Sequence, residues 1–197
     1  KFYENLYGPF PYDDLHVAQM YPGSGYGQAP PSLVQLDGLS FRSQAETESD
    51  FLHEFLSHEI GHQYWGHCVG WANDNDVWLS ESFAEYSAGL YVQALTGERR
   101  FQQKVNEWKQ RAREGDPQAP IALANLLSGD NAGRYRERLI YNKGPLVVHM
   151  MRTQMGNDNY VKAMTSLMKK YKNQNITTEL LSRELSAVTG YNWDYFF

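Results

Sequence analysis

The chain has a single cysteine, Cys68, among its 197 residues. This excludes a disulfide-stapled scaffold and a cysteine-rich metal site. The sequence also lacks any run of about 18 apolar residues, the length that crosses a bilayer as a helix. Basic residues are outnumbered, with 18 Lys and Arg against 23 Asp and Glu, which gives a net charge of −5. Nucleic acid and anionic membranes are therefore disfavoured as partners.

A signal peptide and an initiator methionine are missing as well, because the chain opens on Lys1-Phe2-Tyr3. We therefore expect a fragment of a longer protein, with any targeting signal outside it. Hydrophobic residues make up 42% and charged residues 21%, an ordinary globular balance. A chain of this length can bury the core of one domain, and we expect residues 1–197 to form a single unit.

The first 45 residues differ in pattern from the rest of the chain. Glycine and proline break this portion into short pieces, with strands predicted at 15–20 and 33–36. From residue 46 onward the apolar residues recur with helical period, and residues 115–133 read as mostly loop. The predicted helices are 48–66, 78–96, 98–114, 139–155, 157–171 and 177–189. The sequence thus predicts an α+β fold, a small N-terminal mixed sheet (1–45) followed by a mainly helical portion (46–197).

Residues 58–62 read His-Glu-Ile-Gly-His, a pattern with a specific chemical meaning. Positions four apart lie on one face of a helix, so His58 and His62 can occupy two corners of a zinc tetrahedron. Glu59 can reach a metal-bound water without ligating the metal and would act as general base. Gly61 costs about 1 kcal/mol inside a helix relative to alanine. Its presence predicts that a neighbouring element packs closely there.

A catalytic zinc needs a third protein ligand, and Glu81 is the candidate. It follows His62 after 18 intervening residues, within a second helical segment. Two histidines and one glutamate leave a fourth position open for water, as in catalytic rather than structural sites. Glu85 lies one turn beyond Glu81. It is either an acceptor for the free N–H of His58 or a solvated surface glutamate.

These residues resemble the aminopeptidase N family of zinc metallopeptidases. The resemblance rests on four stretches. They are residues 58–67, which contain the pair His58 and His62, Trp-Leu-Ser-Glu-Ser-Phe-Ala at 78–84, Gly-Pro-Phe-Pro-Tyr at 8–12 and Tyr-Asn-Lys-Gly at 141–144. The closing stretch 177–197 is also similar, so nearly the whole chain is covered. The resemblance implies a thermolysin-like zincin (gluzincin) catalytic domain and one Zn²⁺ per chain. It also implies a peptide or small protein substrate and flanking domains in the parent protein.

The resemblance implies further site residues. Tyr141 would donate a hydrogen bond to the oxyanion of the tetrahedral intermediate. The family's Gly-x-Met-Glu-Asn strand binds the substrate backbone and, through its glutamate, the free α-amine. Here the corresponding stretch contains Gly25, Gln28 and Ala29, so an uncharged glutamine replaces that glutamate. A neutral acceptor binds an ammonium group more weakly than a carboxylate does.

Three functional hypotheses remain open at the level of sequence. The first is peptide-bond hydrolysis of the aminopeptidase type, with altered recognition of the N-terminal amine. The second is a thermolysin-type endopeptidase, which shares the ligand arrangement. The third is a domain that retains zinc but is catalytically idle and binds a partner. Gln28 is the feature that favours the third, and an intact Glu59 and Tyr141 oppose it.

Overall fold

The computed structural model describes residues 1–23, 26–41 and 46–197, with side chains of the second helix described from residue 53 onward. Short strands and a first helix form the N-terminal part, and helices dominate the rest, so the α+β class is confirmed. The described helices are α1 (Phe2–Tyr7), α2 (Glu46–Tyr64), α3 (Trp78–Thr96), α4 (Glu98–Gly115), α5 (Ala132–Arg138), α6 (Gly144–Met155), α7 (Asn157–Lys170) and α8 (Thr178–Thr189). No helix in these residues has the length and apolarity to cross a membrane.

Two parallel pairs of short strands accompany the helices. β1 (His16–Gln19) pairs with β2 (Leu33–Leu36), as expected for the N-terminal strands. Gln28 adds an antiparallel bridge to Gln35 in β2, so the N-terminal sheet has mixed character. A second pair, β3 (Val69–Trp71) with β4 (Gln174–Ile176), lies within the helical portion.

The sequence-based boundaries need several corrections. The interval 1–45 is more than a sheet portion, because α1 lies within it. Three-residue strands such as β3 and β4 carry too few residues to show alternation, and the sequence did not predict them. The interval 115–133 includes a 3₁₀ segment, Ile121–Leu126, and the first two residues of α5.

The predicted helix 139–155 begins with a π turn, Leu139–Lys143, before α6. Pro145 has no N–H and cannot donate to the carbonyl of Tyr141, so the regular α-helical pattern cannot extend through this point. The N–H of Gly144 bonds to the carbonyl of Leu139, and the carbonyl of Ile140 accepts a hydrogen bond from Ser82 Oγ on α3 at 2.7 Å. This side-chain bond attaches the π turn to α3.

Helices α2 and α3 pack against each other in the core, and Gly61 allows the contact. A Cβ at Gly61 would lie 3.1 Å from Ala84 Cα and 3.3 Å from its carbonyl oxygen. The expectation that a neighbouring element packs closely at Gly61 is confirmed. Just after α2, the ring of Trp65 packs against that of Phe83 on α3, with centroids 4.1 Å apart and planes inclined by 31°. The close approach fixes how far apart side chains on the two helices can lie.

Candidate metal centre and groove

Helices α2 and α3 bring three potential metal ligands together. His58 and His62 lie one turn apart on α2, with their Nε2 atoms 3.0 Å apart. Glu81, in the first turn of α3, places Oε2 3.4 Å from His58 Nε2 and 3.2 Å from His62 Nε2. Tetrahedral ligands bound at about 2.0–2.1 Å are about 3.3 Å apart. The three atoms therefore have the spacing that zinc requires.

Hydrogen bonds on the far side of each imidazole fix where its proton lies. His62 Nδ1 faces the carbonyl oxygen of Trp65 at 3.0 Å, and His58 Nδ1 faces Glu85 Oε2 at 3.1 Å. A carbonyl or a carboxylate only accepts, so each Nδ1 carries a proton, and in the neutral imidazole that binds a metal each Nε2 presents a lone pair. Two lone pairs and the carboxylate of Glu81 then converge without a donor between them. Such a donor set fits a divalent cation.

The electrostatics of the centre favour positive charge. Burial disfavours the charged form of His58, but hydrogen bonds to Glu81 and Glu85 outweigh this and raise its pKa to about 10. Burial also disfavours the charged form of Glu81, yet hydrogen bonds from the two histidines hold its pKa well below the usual range. The protein thus maintains a negative site that either protons or a metal ion can neutralise.

Glu85 connects the centre to α4, a contact that the sequence did not reveal. Its Oε1 atom accepts from Trp108 Nε1 and pairs with Lys104 Nζ, both at 3.0 Å, while Oε2 faces His58. Burial favours the neutral carboxyl, but the bond to His58 and the charge of Lys104 prevail and lower the pKa of Glu85 to about 2. Of the two sequence-based alternatives, the geometry matches the acceptor of the His58 N–H. Lys104 and Trp108 lie four residues apart on α4, but no sequence pattern indicates which carboxylate they contact.

Glu59 lies beside the ligands and faces the same groove. Its side chain is buried, and burial raises the pKa of its carboxyl, a shift that suits a general base working near neutral pH. Gly27 approaches it so closely that a Cβ there would lie 2.6 Å from Glu59 Oε1. The same Cβ would lie 2.7 Å from Phe55 Cζ. A side chain at residue 27 would therefore require the Glu59 carboxylate and the Phe55 ring to move.

Tyr141 reaches the centre from the π turn. Its ring stacks on that of His58, with centroids 6.0 Å apart and planes inclined by 24°. Burial and the carboxylate of Glu81 raise the pKa of the phenol, which therefore keeps its proton and can donate it in a hydrogen bond. π turns are rare and occur often at functional sites.

The site opens into a groove of about 970 Å³. One edge is the segment of residues 26–31, which we call the groove segment. Within it, Gln28 exchanges both backbone hydrogen bonds with Gln35, at 2.9 and 2.7 Å, and its side chain is exposed. Ala29 is buried, and its carbonyl accepts from Gln63 Nε2 at 3.3 Å. Gly25, also predicted to bind substrate, lies outside the described residues.

Residues 34–197 match the Peptidase family M1 domain. The chain belongs to this family. The resemblance to aminopeptidase N-like zinc metallopeptidases is thereby confirmed, and zinc is the metal of this M1 domain's family.

Curated relatives are much longer than this M1 domain. Aminopeptidase M1-C of Oryza sativa subsp. japonica is 30% identical over 144 residues, which cover 68% of this chain and 16% of that protein. Leucyl aminopeptidase of Saccharolobus solfataricus is 24% identical over 203 residues, covering 96% of this chain and 25% of that protein. The M1 domain thus spans about a quarter or less of these relatives.

Solved structures share the fold. A mutant M1 zinc metallopeptidase of Deinococcus radiodurans, bound to a Tyr-Ser-Ala substrate, superposes with a TM-score of 0.73 at 21% identity. That match covers 99% of this chain and 40% of the other. Leukotriene A4 hydrolase of Saccharomyces cerevisiae gives a TM-score of 0.79 at 15% identity, over 99% of this chain and 31% of that one. At these identities the likeness establishes the fold alone.

Proposed function

We propose that residues 1–197 form the single catalytic domain of a longer zinc peptidase that hydrolyses peptide bonds in peptides or small proteins. His58, His62 and Glu81 would hold one zinc ion. The observation that carries the proposal is the convergence of two imidazole lone pairs and a carboxylate, 3.0–3.4 Å apart, beside Glu59 and Tyr141 in one groove. Flanking domains of the parent protein would complete the groove.

When bound, zinc supplies a Lewis acid that acidifies a water molecule and polarises the scissile carbonyl. Glu59 accepts the proton of the attacking water and passes it to the leaving amine. Tyr141 donates a hydrogen bond to the oxygen that becomes negative, a contribution worth about 3 kcal/mol where such donors have been removed. Glu85 holds His58 in the tautomer that leaves Nε2 bare.

The cleavage mode is of the aminopeptidase type with weakened recognition of the free amine. Gln28 stands where the family has a glutamate, and the groove offers no evident substitute. The carboxylates that line it are Glu54, Glu59, Glu81, Glu85 and Glu107. Glu54 pairs with Lys104 at 2.7 Å and with Arg100 at 3.3 Å, and Glu107 pairs with Arg100 at 3.2 Å.

The remaining three groove carboxylates serve the metal and the proton transfer. Among the described groove residues, none is left to bind an α-ammonium group as its main partner. A substrate whose amine is blocked therefore loses little in this groove. This supports the thermolysin-type alternative, cleavage of internal bonds, as the second candidate function.

The Glu59→Gln variant tests the proposed chemistry. Without the base, kcat should fall by about 10²–10⁴-fold, the usual contribution of a general base. Zinc content, measured by mass spectrometry of the dialysed full-length protein, should stay at one per chain. A variant that hydrolyses peptides at the wild-type rate would contradict the mechanism. A wild-type protein that holds zinc but cleaves no peptide would support an idle partner-binding domain instead.

Paired substrates test the cleavage mode. The full-length protein should hydrolyse a free peptide and its N-acetylated form with kcat/KM values within about tenfold, because Gln28 contributes a neutral hydrogen bond. Gln28→Glu should widen this ratio in favour of the free peptide, since it restores a carboxylate. A strict requirement for the free amine in the wild type would contradict this part of the proposal.

A further inference from the structure

Gln63 is a buried polar side chain that the mechanism above does not use. It directly follows the ligand His62 on α2 and is 0% exposed. Its Oε1 atom accepts from the backbone N–H of Ser32 at 2.8 Å. Its Nε2 atom donates toward the carbonyl oxygens of Pro30 at 3.1 Å, Ala29 at 3.3 Å and Leu33 at 3.4 Å. One amide group thus serves four backbone groups.

Those four groups lie at residues 29–33, at the end of the groove segment and the start of β2. Ser32 adopts φ +66°, a left-handed conformation that residues with a side chain seldom occupy. Such a backbone persists only where surrounding contacts hold it. The N–H of Ser32 donates to Gln63, and its Oγ bonds to Asp14, whose carbonyl oxygen lies at 2.6 Å and Oδ1 at 2.7 Å. The carbonyl of Ser32 also accepts from the backbone N–H of His16 at 2.8 Å.

Gln63 and the proposed metal ligand His62 are consecutive residues of α2. Because both residues lie on α2, a shift of His62 would also move Gln63 and the groove segment to which Gln63 is bonded. A displacement of the groove segment would affect the base, because a Cβ at Gly27 would lie only 2.6 Å from Glu59 Oε1. The hydrogen bonds of Gln63 would therefore set the position, relative to Glu59, of a peptide that lies along the groove segment.

We infer that Gln63 is a positioning residue for the substrate: its buried amide holds the groove segment at the distance from the metal centre at which a peptide backbone can bind. The inference rests on the proposed function, because it assumes that the groove receives a peptide. A purely structural role would change stability alone, whereas a positioning role changes peptide binding while metal binding stays constant.

The test compares Gln63→Glu with the wild type in the zinc-loaded full-length protein. Glutamate keeps an acceptor for the Ser32 N–H but loses the donors to the three carbonyls. Two inhibitors separate the metal centre from the groove segment. A peptide hydroxamate contacts both, and acetohydroxamic acid contacts the metal centre alone. We expect the Kd of the peptide hydroxamate to rise about tenfold or more, with the Kd of acetohydroxamic acid and the zinc stoichiometry unchanged.

Activity and hydrogen exchange supply independent readouts. KM for a peptide substrate should rise by a similar factor while kcat changes less than about threefold, since uniform binding is lost. The backbone amides of Gln28, Ser32 and Gln35 should exchange faster with solvent. Gln118→Glu, on an exposed side chain, introduces the same change in charge and should leave every value unchanged. Gln63→Met, which removes both donor and acceptor, carries the same test if the glutamate variant does not fold.

Two results would overturn the inference. One is a folded, zinc-loaded Gln63 variant that binds both hydroxamates as the wild type does. The other is an equal loss of both, which would place the effect at the metal centre. Failure of the proposed function looks different: the wild type would turn over no peptide, whereas the two-inhibitor comparison would still report on Gln63.

Discussion

At the scale of single residues, Gly27 leaves space for the Glu59 carboxylate because it has no side chain. A methyl group at residue 27 would lie 2.6 Å from Glu59 Oε1, so either the carboxylate or the groove segment must move. The carboxylate is the end of a flexible side chain and moves more easily than backbone. The absence of a side chain at residue 27 therefore bears on the placement of the base rather than on the fold.

We expect Gly27→Ala to lower kcat by about tenfold to a hundredfold, because a displacement near 1 Å at a reacting group has effects of this size. Zinc content and the melting temperature should stay close to wild type. Steady-state kinetics and thermal melts of the full-length protein measure both. A wild-type kcat in the alanine variant would show that Glu59 has more freedom than the structure indicates.

Glu85 should matter to metal affinity although it is not one of the three proposed ligands. Removing an acceptor behind a metal-bound histidine costs about 10–100-fold in affinity, and Glu85→Ala removes the partner of His58 Nδ1. Zinc titration against a chelating dye measures the change. Glu107→Ala is the matched control, because this groove carboxylate pairs with Arg100 at 3.2 Å. Equal affinities for the two variants would argue against the role of Glu85.

The site residues differ in how well the sequence predicts them. His58, His62 and Glu81 follow from spacing, since helical geometry constrains each ligand within a short stretch of chain. Lys104, Trp108 and Gln63 have no such local signature. Each acts through an element that is distant in sequence. Only the packing of α4 on α3, and of residues 29–33 on α2, brings these side chains to their partners.

At the scale of elements, the contact of α2 with α3 decides the geometry of the ligands. Gly61→Ala would place a methyl group 3.1 Å from Ala84 Cα, a backbone atom that cannot move without its helix. Overpacking of this kind costs about 1–3 kcal/mol, and the better helix propensity of alanine returns about 1 kcal/mol.

We therefore expect Gly61→Ala to lower the free energy of unfolding by up to about 2 kcal/mol and to weaken zinc binding as the helices separate. Denaturant melts with and without zinc measure both effects. Gly133→Ala, on α5 with no atom within 4 Å of the new Cβ, should be neutral or stabilising. Unchanged zinc affinity in the Gly61 variant would show that the ligands tolerate the shift.

The sequence predicts elements whose boundaries depend on neighbouring residues better than elements that depend on residues far away in the chain. The bounds of α3, Trp78–Thr96, agree with the predicted helix 78–96, because no proline interrupts the stretch and Gly97, at φ +89°, ends it. The π turn at Leu139–Lys143 depends on Pro145 and on a bond from Ser82, 58 residues away in sequence. The pairing of β3 with β4 joins residues about a hundred positions apart, so no local pattern could indicate it.

At the scale of the whole molecule, a metal ion would hold α2 and α3 together across the core. Chelation should lower the melting temperature, since a ligand present at 100 times its Kd stabilises the fold by about 2.7 kcal/mol. Differential scanning calorimetry before and after treatment with 1,10-phenanthroline measures the loss, and added zinc should restore it. The Glu81→Gln variant, which lacks the third ligand's charge, should show a smaller response. No response in the wild type would argue against metal binding at this centre.

The ligand pair on α2 and the glutamate on α3 also have a consequence for synthesis of the chain. All three ligands fall within residues 58–81, a stretch of 24 positions, whereas Tyr141 follows 60 positions later. If these residues have the roles proposed for them, the parts that would bind the metal leave the ribosome before the part that would support the oxyanion. The order of the sequence would thus complete the set of metal ligands before the hydrolytic site.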